Sequence, residues 1–406
     1  MEKRIVKNIG LLATPTGKAA RGGAAQGEIL CLQNAWLEME DGIITAIGTG
    51  EAPACPNTVD AEGHLVTPGL IDAHTHLVFG GWREHELAMK RQGVPYLEIL
   101  AKGGGILSTV RATREATEEA LTQKGETILR QMLALGVTAC EAKSGYGLDK
   151  ETELKQLRVI RNLKERQPVE LVATYLGAHA VPTEYKENRQ AYMDLMIQEM
   201  IPLVAKEGLA EYCDVFCETG VFTPEESEEI LVAAQKQGLG AKIHADEIDA
   251  LGGSELAGRI HAVSAEHLIA ANEAGISSMA EGGTVAVLLP ATSLYLGKPY
   301  APARAMIEAG VPVAAASDFN PGSCPSFNMQ LVMDLACWGY KMTPEEVLTA
   351  VTLNAAAAVG RAKTHGSLEV GKQADLVIWN TDNLEYLFYR FGENLAKTVI
   401  KAGTVR

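Results

Sequence analysis

His74 and His76 stand one residue apart, at the end of the apolar run Thr67-Pro68-Gly69-Leu70-Ile71-Asp72-Ala73. Alternate residues of a β-strand point to one face, so the two imidazoles would lie side by side at a rigid strand end. That is half of a metal site. The chain has only nine histidines. Five of them, His74, His76, His179, His244 and His267, fall at or just past the ends of expected strands, which random placement would not favour. His244 follows Gly240-Ala241-Lys242-Ile243 and offers a third nitrogen. Asp318 follows the run from Val313 to Ser317 and offers a hard carboxylate. Three imidazoles and one carboxylate, with water in an open position, suit a catalytic zinc or iron ion.

Such an ion lowers the pKa of water to about 7, and a proton carrier is then required. Glu247, three residues after His244, is spaced to shuttle a proton between water and a leaving ring nitrogen. His267 is expected to hold the attacking oxygen or to polarise the attacked carbonyl. His179 is expected to donate a hydrogen bond to an oxyanion or a substrate carbonyl.

These groups need a scaffold that collects strand ends on one rim. From Val66 onward, apolar runs alternate with helical stretches, which implies βα units and a parallel sheet. Eight strands are expected: 65–73, Val137–Ala142, Glu170–Leu176, Tyr212–Cys217, Gly240–Ile243, Ile260–Ser264, Val285–Leu289 and Val311–Ala316. Helices are expected between them, at Glu115–Leu135, Thr152–Arg166, Tyr192–Glu207 and Pro224–Gln237. The pattern predicts an α/β fold, a TIM-type (β/α)8 barrel with its site at the C-terminal strand ends. A doubly wound open sheet would want a glycine-rich phosphate turn after the first strand, where His74-Thr75-His76 stands instead. The stretch 78–112 is long for a βα connection and reads as a binding loop.

Residues 1–66 read as short strands, with Asp41-Gly42 as a hairpin turn between Ala35–Glu40 and Ile43–Gly48. After the eighth strand, helices run from about Asn328 to Val359, and 366–379 turns to β again. Three segments are expected, 1–66, 67–361 and 362–406; resemblance of the last to the C-terminal strand module of amidohydrolases implies that 1–66 and 362–406 form one small β-sandwich with the barrel 67–361 inserted between them.

The chain has 406 residues, of which 47% are hydrophobic, so it can bury a large core. A net charge of −15 argues against nucleic acid or an anionic membrane as partner. It leaves room for a small anionic substrate, because a metal and one arginine can reverse the local field. The seven cysteines follow no paired framework, as in a reduced cytoplasmic enzyme. Cys213 and Cys217 read as part of the barrel wall. No long apolar stretch suits a leader or a membrane span.

The run Pro68-Gly69-Leu70-Ile71-Asp72-Ala73-His74-Thr75-His76 resembles the opening strand of the amidohydrolase superfamily. Longer runs resemble its imidazolonepropionase family: Asp72-Ala73-His74-Thr75-His76-Leu77-Val78-Phe79-Gly80-Gly81-Trp82-Arg83, Glu141-Ala142-Lys143-Ser144-Gly145-Tyr146-Gly147-Leu148, Thr174-Tyr175-Leu176-Gly177-Ala178-His179, His244-Ala245-Asp246-Glu247 and Ser317-Asp318-Phe319-Asn320-Pro321-Gly322-Ser323, of which Lys143–Leu148 and Ser317–Gly322 are the more specific. The resemblance implies hydrolysis of 4-imidazolone-5-propanoate to N-formimidoyl-L-glutamate, a step of histidine degradation. It implies one divalent or trivalent ion per chain, zinc or iron, on His74, His76, His244 and Asp318. It implies Glu247, His267 and Asp318 as catalytic groups. Substrate contacts would come from Arg83, Tyr96, Tyr146, His179, Glu247 and Ser323, with Asn320 and Gly322 lining the product. It also implies a homodimer.

A planar guanidinium such as Arg83 can grip the substrate's propionate in bidentate fashion. Binuclear superfamily members carry a lysine at the fourth strand end. Here Val215-Phe216-Cys217-Glu218 has none, which favours a single metal unless Glu218 bridges. A heterocycle deaminase shares the same ligands and glutamate, and differs in its leaving group. A non-catalytic barrel would be expected to have lost ligands, and all four are here.

Overall fold

The computed structural model describes residues 3–94 and 103–406. Its first strands are β1 (Lys3–Thr14), β2 (Leu30–Glu40), β3 (Ile43–Thr49), β4 (Thr58–Asp60) and β5 (Leu65–Pro68). The hairpin between β2 and β3 turns on Asp41 and Gly42, at φ 49° and 82°. Two successive positive φ angles match the right-handed twist of the flanking strands, which is why Asp-Gly sits there.

The barrel strands are β6 (Leu70–Asp72), β7 (Val137–Lys143), β8 (Glu170–Ala178), β9 (Tyr212–Cys217), β10 (Gly240–Ala245), β11 (Ser264–His267), β12 (Val285–Leu288) and β13 (Val313–Ala315). They pair in chain order, each parallel to its neighbour. Three more strands, β14 (Leu376–Trp379), β15 (Ala396–Lys401) and β16 (Thr404–Val405), complete a second sheet from both ends of the chain. Its order is β16-β15-β14-β5-β1-β2-β3, with β4 beside β1.

The expected strand 65–73 is two strands. β5 pairs with β14 and β1 in the terminal sheet, and β6 enters the barrel. Gly69 makes the handover: a Cβ there would lie 2.3 Å from Thr138 Oγ1. The expected sixth strand, Ile260–Ser264, begins too early. Ile260 ends the helix Gly253–Arg259 and Ala262 N–H closes onto Ala257 O, so the strand runs Ser264–His267. The expected helix Tyr192–Glu207 starts at Arg189 and passes through a π-helical turn at Leu195–Met200 just before Pro202. Within the expected long loop 78–112, Leu87–Arg91 and Ile106–Glu115 are helical.

The seam between β13 and β6 is closed just beyond the strands. Asp318 N–H donates to His74 O at 3.0 Å, and His76 N–H donates to Phe319 O at 2.9 Å. Asp72, fully buried, accepts Ser317 N–H and the Ser317 hydroxyl at 3.0 and 2.5 Å. The barrel is therefore locked at the rim where His74, His76 and Asp318 emerge.

Candidate metal centre and active site

His74 and His76 follow β6, His244 is the penultimate residue of β10, and Asp318 follows β13. All four are buried. The Nε2 atoms of His74 and His76 lie 3.5 and 3.6 Å from the same oxygen, Asp318 Oδ1. Ligand atoms about 2.1 Å from a tetrahedral zinc are spaced about 3.4 Å apart, so these separations fit one ion. The rings of His74 and His244 approach to 4.6 Å between centroids. Ligand atoms of His74, His76 and Asp318 lie within 4.8 Å of one another, as do those of His74, His244 and His267. Both ring nitrogens of His74 and of His244, and Nδ1 of His76, are buried with no hydrogen bond of full geometry among the described residues, although Asp214 Oδ2 lies 3.0 Å from His244 Nδ1. Buried lone pairs without partners are costly unless something electrophilic sits among them.

Protonation favours the same use. Burial, together with neighbouring imidazoles and Lys143, holds His74 and His76 well below the usual histidine range. Burial holds His244 at about 3, against the pull of Asp214. All three are neutral imidazoles, the form that ligates metals. Asp318 adopts φ 56° and His267 φ 70°. Left-handed backbone at bulky residues is strained and persists only where the surroundings fix it. Here Thr292 Oγ1 donates to Asp318 Oδ2 at 2.6 Å, and Asn320 Nδ2 donates to Asp318 O at 2.7 Å.

Glu247 lies beside this cluster, with Oε2 3.7 Å from His267 Nε2. Burial, reinforced by the charge of Glu218, raises its pKa to about 7. Its loop is pinned by two buried carboxylates. Glu218 accepts Ile248 N–H at 2.8 Å and Thr219 N–H at 2.7 Å. Asp246 accepts the N–H groups of Leu251, Gly253 and Ser254. Both oxygens of Glu218 are thus spent on backbone, which disfavours its use as a metal bridge.

His179 stacks on His76 at 4.9 Å and 16°. Its Nδ1 lies 2.9 Å from Gly145 O. A carbonyl only accepts, so Nδ1 carries the hydrogen. Burial holds the pKa at about 4, so the ring is neutral and Nε2 is an acceptor. The expected donor to an oxyanion is therefore an acceptor.

Arg83 is a buried-side guanidinium already engaged on one edge. Its Nε and Nη2 donate to the two oxygens of Glu86, each at 2.9 Å. Glu86 is fully buried and also meets Lys90 at 3.3 Å and Gly105 N–H at 2.7 Å. Among the described residues Nη1 is the edge of Arg83 with no hydrogen-bond partner, and Gly322 makes room for it: a Cβ on Gly322 would lie 2.1 Å from Nη1. Asn320 is spent on its own turn, accepting Gly322 and Ser323 N–H at 2.8 and 2.7 Å and donating to Ser323 Oγ at 2.8 Å. Tyr146 is buried 5.7 Å from His76 and 5.2 Å from His179, ring to ring. Its loop is held by Glu153, which accepts the N–H groups of Gly145, Gly147 and Leu148, and by Gln156, which accepts Tyr146 N–H. Tyr96 lies outside the described residues.

Reading the sequence did not reveal Glu86, Glu153 or the charged residues inside the barrel. Those last had a signal. Glu141, Lys143, Asp214, Lys242 and Glu266 interrupt strands buried on both faces, where a charge needs a reason.

A profile of the Amidohydrolase family matches residues 65–406. The chain is 52% identical to the imidazolonepropionase of Alkaliphilus metalliredigens, covering 98% of this chain and 96% of that protein. It is 50% identical to the imidazolonepropionase of Bacillus velezensis, with coverage of 98% and 96%. Among solved structures it is similar to 5-methylcytosine deaminase from Klebsiella pneumoniae, with a TM-score of 0.75, 18% identity and coverage of 99% and 97%. It is also similar to an adenosine deaminase from Xanthomonas campestris with bound zinc, with a TM-score of 0.70, 20% identity and coverage of 99% and 92%. At such identities these two likenesses speak for the fold alone.

Proposed function

The chain belongs to the amidohydrolase family and, within it, to the imidazolonepropionases, and from that premise we propose that its barrel rim opens the ring of 4-imidazolone-5-propanoate to give N-formimidoyl-L-glutamate. The chemistry is hydrolysis of a carbon–nitrogen bond in a cyclic amide. The structural observation that carries the reading is the joint presence of His74, His76, His244 and Asp318 with Glu247 beside His267 on one rim.

The four residues would hold one zinc or iron ion, which supplies Lewis acidity and brings the pKa of water to about 7 when bound. Glu247 takes a proton from the attacking water and returns it to the ring nitrogen that leaves. A carboxyl group with a pKa near 7 can do both. His267 faces Glu247 and orients the water between them. His179 accepts a ring N–H of the substrate at Nε2. Arg83 meets the propionate through its Nη1 edge, with Tyr146 beside it. Glu86 fixes the guanidinium plane, so the anion finds a preset donor. Gly322, Asn320 and Ser323 form the wall next to Arg83. Tyr96 is assigned to the substrate on the resemblance alone.

We further propose a homodimer, on the family resemblance, and a cytoplasmic setting, on the free cysteines. No helix among the described residues is long and apolar enough to cross a membrane. The net charge of −15 disfavours polyanionic partners.

Freshly generated 4-imidazolone-5-propanoate, incubated with the protein and followed by mass spectrometry, tests the reaction. Ring opening should give formimidoyl-glutamate by addition of one water. Release of ammonia from aminated heterocycles, with the imidazolone left intact, would favour a deaminase and withdraw the reading.

A further inference from the structure

The barrel interior is ionic where barrels of this type are usually filled by branched apolar side chains. Five charged side chains from four strands, Glu141, Lys143, Asp214, Lys242 and Glu266, have no exposure at all. Glu141 and Lys143, and likewise Lys242 and His244, sit two residues apart and so share the inward face. The contacts form one chain. Lys242 Nζ lies 2.7 Å from Glu141 Oε1 and 3.7 Å from Glu266 Oε1. Lys143 Nζ lies 2.9 Å from Glu141 Oε2 and 2.7 Å from Asp214 Oδ2. The same Asp214 Oδ2 lies 3.0 Å from His244 Nδ1. Thr174 and Ser264 hydroxyls donate to Glu141 and Glu266, each at 2.5 Å.

A buried ionic network is a poor device for stability, since well-packed apolar residues often do as well or better. Nor does it leave room for a further cation. Asp214, His244 and Glu266 could together offer ligand atoms, but Lys143 and Lys242 already place ammonium groups against those carboxylates. Among the described residues, the network meets the rim at Asp214 against His244.

We propose that Asp214, anchored by Lys143, is a positioning residue that keeps the hydrogen of His244 on Nδ1 and turns its Nε2 lone pair toward His74, His76 and Asp318. A carboxylate 3.0 Å from Nδ1 favours the tautomer with hydrogen there. Neither ring nitrogen of His244 makes a hydrogen bond of full geometry among the described residues, and the contact with Asp214 Oδ2 at 3.0 Å is what distinguishes Nδ1 from Nε2. Carboxylates behind ligating imidazoles fix ring orientation and raise ligand basicity. Lys143 Nζ, 2.7 Å from Asp214 Oδ2, holds that carboxyl group in place without itself reaching the rim.

The inference rests on His244 being a metal ligand, and two measurements on the full-length protein separate the two claims. Zinc affinity is measured by chelator competition for wild type and Asp214→Asn, which keeps the size and removes the charge. The variant should bind zinc about 10–100-fold more weakly, while unfolding at a temperature close to wild type. Equal zinc affinity in the variant would overturn the inference alone, and no zinc uptake by wild type would overturn the ligand assignment and the inference with it. Should Asp214→Asn fail to fold, the wild-type protein still decides. Nitrogen-15 spectra of histidine-labelled, metal-free protein, with the His244 signals assigned from His244→Gln, should show hydrogen on Nδ1. Hydrogen on Nε2 would overturn the proposal.

Discussion

In the proposed reaction Glu247 moves the proton, and its environment makes that testable. Glu247→Gln keeps the shape but cannot take a proton. It should retain its metal and lose turnover by about 10²–10⁴-fold. Turnover near wild type, with metal bound, would remove Glu247 from the mechanism. The pH dependence has a definite sign. Burial and the Glu218 carboxylate raise the pKa of Glu247 from the ordinary 4.5 to about 7. A base must be ionised to act, so kcat/KM should fall as pH drops through about 7. Glu218→Gln removes one of the two causes, lowers the pKa of Glu247, and should move that acid limb to lower pH. An unmoved limb would mean that another group sets it. The positions of His74, His76, His244 and Asp318 were legible because strand periodicity puts them on one rim. The polarity of His179 was not, since it depends on Gly145 O, a backbone atom 34 residues away.

At the scale of elements, the site is a set of short loops held by buried carboxylates: Glu86 under Arg83, Glu153 under Tyr146, Glu218 and Asp246 under Glu247. Such anchors are hard to read in a sequence, because an acid in a loop is ordinarily solvated. Only tertiary contact distinguishes Glu86 from its exposed neighbour Glu84. The Gly322 turn gives a direct prediction. A methyl group there would collide with Arg83 Nη1, so Gly322→Ala and Arg83→Ala should both raise KM for the carboxylate substrate. The double variant should be little worse than either single one, since both remove the same contact. Additive losses would mean that Gly322 acts elsewhere. The misplaced sixth strand belongs to this scale too. Ile260 and Val263 look like strand residues, but Ile260 is the end of a helix, and local apolarity cannot separate those states.

At the scale of the whole molecule, the alternation of strands and helices made the barrel legible, and apolar turn-rich ends made the terminal sheet legible. How the two join was not. Trp379 of β14 is fully buried, and its Nε1 donates to Thr67 Oγ1 of β5 at 2.8 Å. Trp379 and Thr67 thus tie the two ends of the chain at the step from β5 into the barrel. Trp379→Ala should cost about 3–5 kcal/mol and lower a single cooperative transition. Two separate transitions by calorimetry would show that sheet and barrel unfold apart.

The measurement that bears most directly on the central claim is activity against metal content during reconstitution. Chelated protein, titrated with zinc, is assayed by the loss of imidazolonepropionate absorbance. One ion held by His74, His76, His244 and Asp318 predicts no turnover at zero metal, and a linear rise that stops at one equivalent per chain. Full turnover in metal-free protein, or a rise that continues to two equivalents, would contradict it.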